Sequence, residues 1–211
     1  MTKGVFITLE GGEGVGKTTN LAFVREFLEA RGLPVVATRE PGGTAAGEKI
    51  RDIFLSAGDI APETELLLVF AARAQHLRDV IEPALASGAW VVCDRFTDAS
   101  YAYQGGGRGV DVEFIRDLER RVQQGRAPDL TLLLDAPVDI GMARARRRGP
   151  ADRMEAETLA FFERVRAAYL RIAGDFPRRV KTIDATRPLD EVQEAIAYHL
   201  LQTLREFHEP A

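Results

Sequence analysis

Residues 11–18 read Gly-Gly-Glu-Gly-Val-Gly-Lys-Thr, a match to the pattern G-x-x-x-x-G-K-[ST]. The match falls between an apolar run ending near Leu9 and a helical pattern opening at Lys17, the only local context in which such a loop works. Glycines let the backbone wrap closely around an anion. Successive N–H groups and the N-terminus of the following helix then face a phosphate, Lys17 adds a cation, and the Thr18 hydroxyl is placed to ligate Mg²⁺. Gly11, Gly12, Glu13, Gly14, Val15, Gly16, Lys17 and Thr18 are therefore the expected cradle of a nucleoside triphosphate.

A strand feeding a phosphate loop and a helix commits the chain to βαβ units, and the rest of the sequence agrees. Short, nearly continuous apolar runs at 5–9, 35–38, 90–93, 130–134 and 180–183 alternate with helical patterns at 17–31, 45–56, 63–87, 112–124, 138–147, 155–173 and 189–206. Continuous hydrophobicity is the mark of strands covered on both faces. The expectation is one three-layer α/β domain over residues 1–211, a five-stranded parallel sheet flanked by helices. Gly32 with Pro34, Ser87-Gly88 and Gly149-Pro150 act as helix stops, and the Gly105-Gly106-Gly107 run is read as a backbone bend or a close approach to ligand.

Composition removes several functional classes. The 28 basic and 32 acidic residues leave a net charge of −4, too acidic for a nucleic-acid binder working through a general basic surface. No apolar run approaches the roughly 20 residues that span a bilayer, the start at Met1-Thr2-Lys3 has no leader pattern, and the single Cys93 cannot close an internal disulfide. A reducing, cytoplasmic location is expected. Arginine supplies 24 of the 28 basic residues, which reads either as compositional bias or as planar, bidentate recognition of phosphate. A guanine-specific switch would carry Asn-Lys-x-Asp, but the one asparagine, Asn20, precedes Leu21. A motor would be larger. A small-molecule kinase needs a second phosphate site and a mobile cationic cover.

Both have candidates. Asp94-Arg95-Phe96 follows the third strand, at the carboxyl end where open α/β sheets bind ligands, so Arg95 is expected to face the phosphate loop. Asp94 either pairs with a nearby base or holds the Mg²⁺ shell, with Asp135 as its rival; Asp94 is preferred. Arg39, opening Arg39-Glu40-Pro41-Gly42-Gly43-Thr44, and Arg51 two turns further on form a candidate acceptor-phosphate site, the alternative for Arg51 being a solvated helix position.

The segments LEGGEGVGKTT (9–19), TREPGGT (38–44), FAARAQH (70–76), CDRFTDASYAYQGGGRG (93–109), PDLTLLLD (128–135) and RARRRGPADRME (144–155) together resemble the bacterial thymidylate kinase family. The resemblance spans most of the chain and implies a P-loop nucleoside monophosphate kinase fold, a homodimer, Mg²⁺-ATP as donor and dTMP as acceptor. It implies that Phe70 and Arg73 serve the base, Phe70 being equally readable as a core aromatic, and that Ser100, Tyr103 and Gln104 contact base and sugar. It also places Glu13 against the acceptor's sugar; an acid beside bound phosphates is electrostatically costly without such a role.

Arg144, Arg146, Arg147 and Arg148 end a helix and are followed by Gly149-Pro150 and Asp152-Arg153. Cations at a helix C-terminus are favourable in themselves, but the Gly-Pro break suggests a hinged lid over about 144–155 whose arginines close on the γ-phosphate. Arg153 is the first candidate, Arg148 the second, and Arg144 is the candidate for flanking adenine beside 184–188. Such a site works by positioning and charge stabilisation through Lys17, Mg²⁺, Arg95 and the lid, with no general base assigned. His76, His199 and His208 are expected as surface or packing residues, and the apolar stretch 66–77 as the dimer face. The rivals are a kinase for another monophosphate or a deoxynucleoside, and a non-catalytic nucleotide-dependent interaction protein, which the second arginine cluster disfavours.

Overall fold

The computed structural model describes residues 4–147 and 153–208. Five strands, β1 (Phe6–Glu10), β2 (Val35–Arg39), β3 (Trp90–Asp94), β4 (Leu130–Asp135) and β5 (Val180–Asp184), form one parallel sheet in the order β2-β3-β1-β4-β5. The crossovers run through α1 (Lys17–Glu29), α2 (Ala45–Ser56), α3 (Pro62–His76), α4 (Glu82–Ala86), α5 (Thr97–Ser100), α6 (Val112–Gln123), α7 (Val138–Arg146) and α8 (Leu159–Asp175), and α9 (Leu189–His208) closes the fold.

Period-two alternation divides the strands' apolar side chains between two cores. Ile7, Leu9, Val92, Leu132 and Ile183 pack against Val24 and Leu28 of α1 and Ile196 and Leu200 of α9. Phe6, Val91 and Cys93 face the other way onto Leu77, Ile81 and Leu85, while Leu133 and Val180 meet Phe161, Val165 and Tyr169 of α8. Every strand ends on a charged residue, Glu10, Arg39, Asp94, Asp135 or Asp184. The register sets Leu9 beside Asp94, Arg39 beside Asp94, and Asp135 beside Asp184, so the polar ends share one edge. This is the edge where an open parallel sheet binds ligand.

Three expectations change. The helical pattern at 63–87 is broken by a π-helical turn, Leu77–Ile81, just before Pro83, which has no N–H to continue the α ladder. The segment after β3 is helical, α5 running into a second π-helical turn, Tyr101–Gly107, that contains the glycine run. Two of those glycines face α8 and none borders the cavity described below: a Cβ on Gly106 would stand 2.7 Å from the Ala168 Cβ, and one on Gly107 2.5 Å from the Phe161 ring. They let α8 pack directly on this segment. Finally, α8 starts at Leu159 rather than at 155, because the Thr158 hydroxyl accepts the Phe161 N–H at 3.2 Å and caps it there.

Candidate active site

A cavity of about 590 Å³ opens along the polar strand edge. At one end lie Glu13, Gly14, Gly16, Lys17 and Thr18; Asp94 and Arg95 border the middle; Arg39, Arg51, Arg73, Ser100, Tyr103 and Gln104 line the acceptor end, and Arg144 the donor flank. Gly11, Gly12 and Val15 of the loop border a smaller neighbouring cavity instead; the other residues read from the sequence converge here, with three exceptions described below.

The loop closes because Gly11, Gly14 and Gly16 sit at φ +135°, +68° and +92°. Gly14 also passes so close to α7 that a Cβ would strike the Gly141 carbonyl at 1.9 Å. Lys17, buried, donates to the carbonyls of Gly11 at 3.2 Å and Gly12 at 2.6 Å. Burial, then the Arg95 guanidinium, pushes its ammonium below the ordinary lysine range.

Arg95 is held in a left-handed backbone conformation, φ 69°. Its guanidinium donates to Gly11 O at 2.8 Å, Tyr169 Oη at 3.2 Å and Glu13 Oε1 at 2.6 Å, and it lies 4.7 Å from the Tyr103 ring centroid. Burial works against its charge, but Tyr103, Glu13, Tyr169 and Asp94 outweigh that and strengthen it. Tyr103 donates its hydroxyl to the same Glu13 oxygen at 2.7 Å, and burial first, with Glu13, raises the phenol far above its usual range. Arginine, acid and tyrosine therefore form one cluster joining the phosphate loop to the acceptor end.

Arg73 is 1% exposed. It gives Nε to Glu40 at 2.7 Å and one NH2 to Phe96 O at 3.0 Å and Ser100 Oγ at 3.1 Å, while its NH1 is buried without a partner. Arg39 pairs with Glu48 at 2.7 Å, and the Arg39 hydrogen bond, then the Gly43 N–H, hold that carboxyl below its usual range. Arg51 donates to Pro41 O at 3.0 Å and Arg144 to Ala185 O at 2.8 Å, next to the loop after β5.

For the cation, Asp94 Oδ1 is buried and has no hydrogen-bond partner, and Asp94 and the Thr18 hydroxyl border the same cavity. An unpaired buried carboxylate oxygen and a hydroxyl lining one cavity suit a hard cation. The rival Asp135 is engaged by Arg166, which donates Nε and NH2 to its two oxygens at 2.8 Å each. Among the described residues no group of three or more His, Cys, Asp or Glu is arranged for a metal, so a cation here would rely on substrate phosphates and water for most of its ligands.

Phe70 is the first exception. It is 2% exposed in a cluster with Leu66, Val110 and Ile115 and does not border the cavity; Val69 does. One residue along a helix rotates the side chain by about 100°, and Val69, four before Arg73, shares its face. Arg153 is the second: its Nε donates to Phe54 O at 2.8 Å and its NH2 to Glu65 Oε2 at 2.9 Å, and it does not border the cavity. The third, Arg148, lies outside the described residues, as do Gly149, Pro150 and Asp152. His76 is wholly buried, its Nε2 paired with Thr38 Oγ1 at 2.6 Å and its Nδ1 with Glu40 Oε1 at 3.0 Å, a packing residue and not a surface one.

Sequence reasoning assigned no role to Glu40, Glu65 or Glu10. Glu40 lay in a quoted motif and fixes both Arg73 and His76. Glu65 accepts from Gln104 at 2.7 Å as well as from Arg153. Glu10, at the end of β1, accepts the Phe96 N–H and the Tyr169 hydroxyl, each at 2.7 Å.

A parallel sheet in this order, with a phosphate loop after its central strand and a cation-ready, arginine-lined cavity beside it, defines the P-loop NTPase fold. The thymidylate kinase family model matches residues 9–196, and the chain belongs to that family. It is 64% identical to the thymidylate kinase of Methylococcus capsulatus over 200 residues, 93% of this chain and 95% of that one. It is 60% identical to that of Chromohalobacter salexigens, over 97% and 98% of the two chains. The crystal structure of thymidylate kinase from Ehrlichia chaffeensis superposes with a TM-score of 0.78 at 33% identity, covering 94% of this chain and 99% of the other.

Proposed function

We propose that this chain is a thymidylate kinase: it transfers the γ-phosphoryl group of Mg²⁺-ATP to a phosphate oxygen of dTMP, releasing dTDP and ADP. The observation that carries the reading is the one cavity of about 590 Å³ whose lining runs from Lys17 and Thr18 past Arg95 to Arg73 and Gln104. Within it, Lys17 and the loop amides bind the donor's β- and γ-phosphates, and Arg144 flanks the adenine. Arg39, Arg51 and Arg95 hold the acceptor phosphate in line. Glu13 fixes the Arg95 fork through its 2.6 Å bond and faces the sugar. The cation, held by Thr18 and Asp94 together with phosphate oxygens, would neutralise charge on the transferring group.

The acceptor is already an anion, so no group has to remove a proton from it, and catalysis rests on alignment and fixed positive charge. The unpaired NH1 of Arg73 offers a donor to a base carbonyl, and the Gln104 amide serves its neighbouring polar edge. Of the two lid candidates, Arg153 would have to break from Glu65 to reach the γ-phosphate.

A cytoplasmic homodimer is part of the same reading. Leu67, 49% exposed, and the exposed Ala71 and Ala74 form one outward stripe of α3 that a second copy would cover. In a coupled assay of ADP release with dTMP, dUMP, dCMP, dGMP and AMP, dTMP should be turned over best. No turnover of dTMP above buffer while another acceptor reacts would sink the assignment. Arg95→Ala should raise KM for dTMP and lower kcat, together by about 100-fold or more in kcat/KM; kinetics equal to wild type would remove Arg95 from the site.

A further inference from the structure

Glu65 is 0% exposed in the first turn of α3, on the same face as Val69 and Arg73, which line the cavity four and eight residues on. Its Oε1 accepts the Gln104 amide NH2 at 2.7 Å, its Oε2 accepts Arg153 at 2.9 Å, and Arg108 Nε lies 3.3 Å from both oxygens. A carboxylate between two guanidinium groups has only acceptors to offer. An amide facing it must present its NH2, which leaves the carbonyl oxygen of Gln104 as the group available to a ligand. Gln104 sits one helical turn beyond Ser100, the residue that receives Arg73, so acceptor and unpaired Arg73 donor belong to one wall of the cavity. A donor with an acceptor beside it complements the O4 and N3–H of thymine or uracil. The same pair meets the N4 amino group and bare N3 of cytosine donor to donor and acceptor to acceptor.

We propose that Glu65 is a specificity-determining positioning residue: by locking the Gln104 amide with its carbonyl toward the base, it makes the site accept keto pyrimidines and reject cytosine. The proposal rests on the thymidylate kinase reading but concerns how the base is chosen, so binding tests it apart from turnover. In Glu65→Gln the replacement carboxamide can accept or donate, and Gln104 is free to turn either end to the cavity. Calorimetric titration of both proteins with dTMP and dCMP should show the ratio of dissociation constants, dCMP over dTMP, fall by about tenfold or more in E65Q. A purely structural role would raise both constants together and leave the ratio at its wild-type value, and that result overturns the proposal. Because Glu65 also neutralises Arg108 and Arg153, the variant can fail to fold. The wild-type crystal structure with dTMP then decides. Gln104 Nε2 should remain within hydrogen-bond distance of Glu65, and an amide that has left Glu65 to donate to the base overturns the proposal. Wild-type protein without dTMP turnover would sink the function assigned above, whereas an unchanged ratio with normal turnover would sink only the role of Glu65.

Discussion

Replacing Glu10 by glutamine should make the protein more stable in alkaline solution and leave it nearly unchanged in acid. Glu10 is 1% exposed, and burial, followed by the nearby Asp98 carboxylate, raises its carboxyl from the usual 4.5 to about 8, against the opposing pull of Arg95, Tyr169 and the Phe96 amide. The folded chain therefore keeps a proton on Glu10 between pH 4.5 and about 8 that the unfolded chain has released. With more protons bound in the native state, stability falls as pH climbs through that window. The penalty is complete above about pH 8, where its upper limit is about 5 kcal/mol. Glutamine keeps an oxygen for the Phe96 N–H and an amide for Tyr169 Oη while carrying no charge, so it removes the titration without opening a cavity. Urea unfolding of wild type and E10Q at pH 5 and pH 8.5 would measure it, with m-values checked for equality. The stability difference between the two proteins should grow in favour of E10Q by several kcal/mol from the lower to the higher pH. A difference that stays constant with pH would refute the idea that Glu10 is protonated in the folded enzyme at neutral pH.

Two further perturbations probe the packing and the cation. Gly106→Ala places a methyl 2.7 Å from the Ala168 Cβ and 3.1 Å from the Arg164 carbonyl, both carried by the rigid α8, so a loss of about 1–3 kcal/mol is expected. Calorimetry should show the melting temperature fall by about 4 °C or more, and an unchanged Tm would mean that α8 does not press on this segment. Asp94→Asn preserves shape but weakens the oxygen left unpaired beside Thr18. The Mg²⁺ concentration giving half-maximal rate should rise by about tenfold, with kcat reduced, while the same half-saturation as wild type would exclude Asp94 from the cation's surroundings.

What was legible in the sequence is what depends on neighbours along the chain. The phosphate loop, the five strands and the charged residue ending each strand follow from spacing and periodicity, and Arg39, Arg95 and Asp94 follow from standing where a strand stops. The choice between Val69 and Phe70 did not follow, because both lie within reach of Arg73 on one helix. It was decided by Val110 and Ile115, some forty residues away, which take the phenyl ring into their cluster. The carboxylates were harder still. Glu40 finds its role 33 residues away at Arg73, Glu65 finds its own 39 residues away at Gln104, and Glu13 is 82 residues from Arg95. Nothing local distinguishes Glu40 and Glu65 from solvated acids, whereas Glu13 stands out by its place in the phosphate loop and only its partner Arg95 is hidden. These acids also reconcile an arginine-rich cleft with a net charge of −4. Arg39, Arg73, Arg95 and Arg153 each meet a partner acid, Glu48, Glu40, Glu13 and Glu65 in turn. Arg95 is thereby held in place before any phosphate arrives, and the ordering that a flexible cation would otherwise undergo on binding is already complete for it in the folded chain, whereas Arg153 must first leave Glu65. The pairing has an energetic consequence as well. An incoming phosphate must share its arginine with a carboxylate, so removing one acid can strengthen anion binding while loosening its geometry. The site's selectivity then rests on how these acids hold the arginines as much as on the arginines themselves.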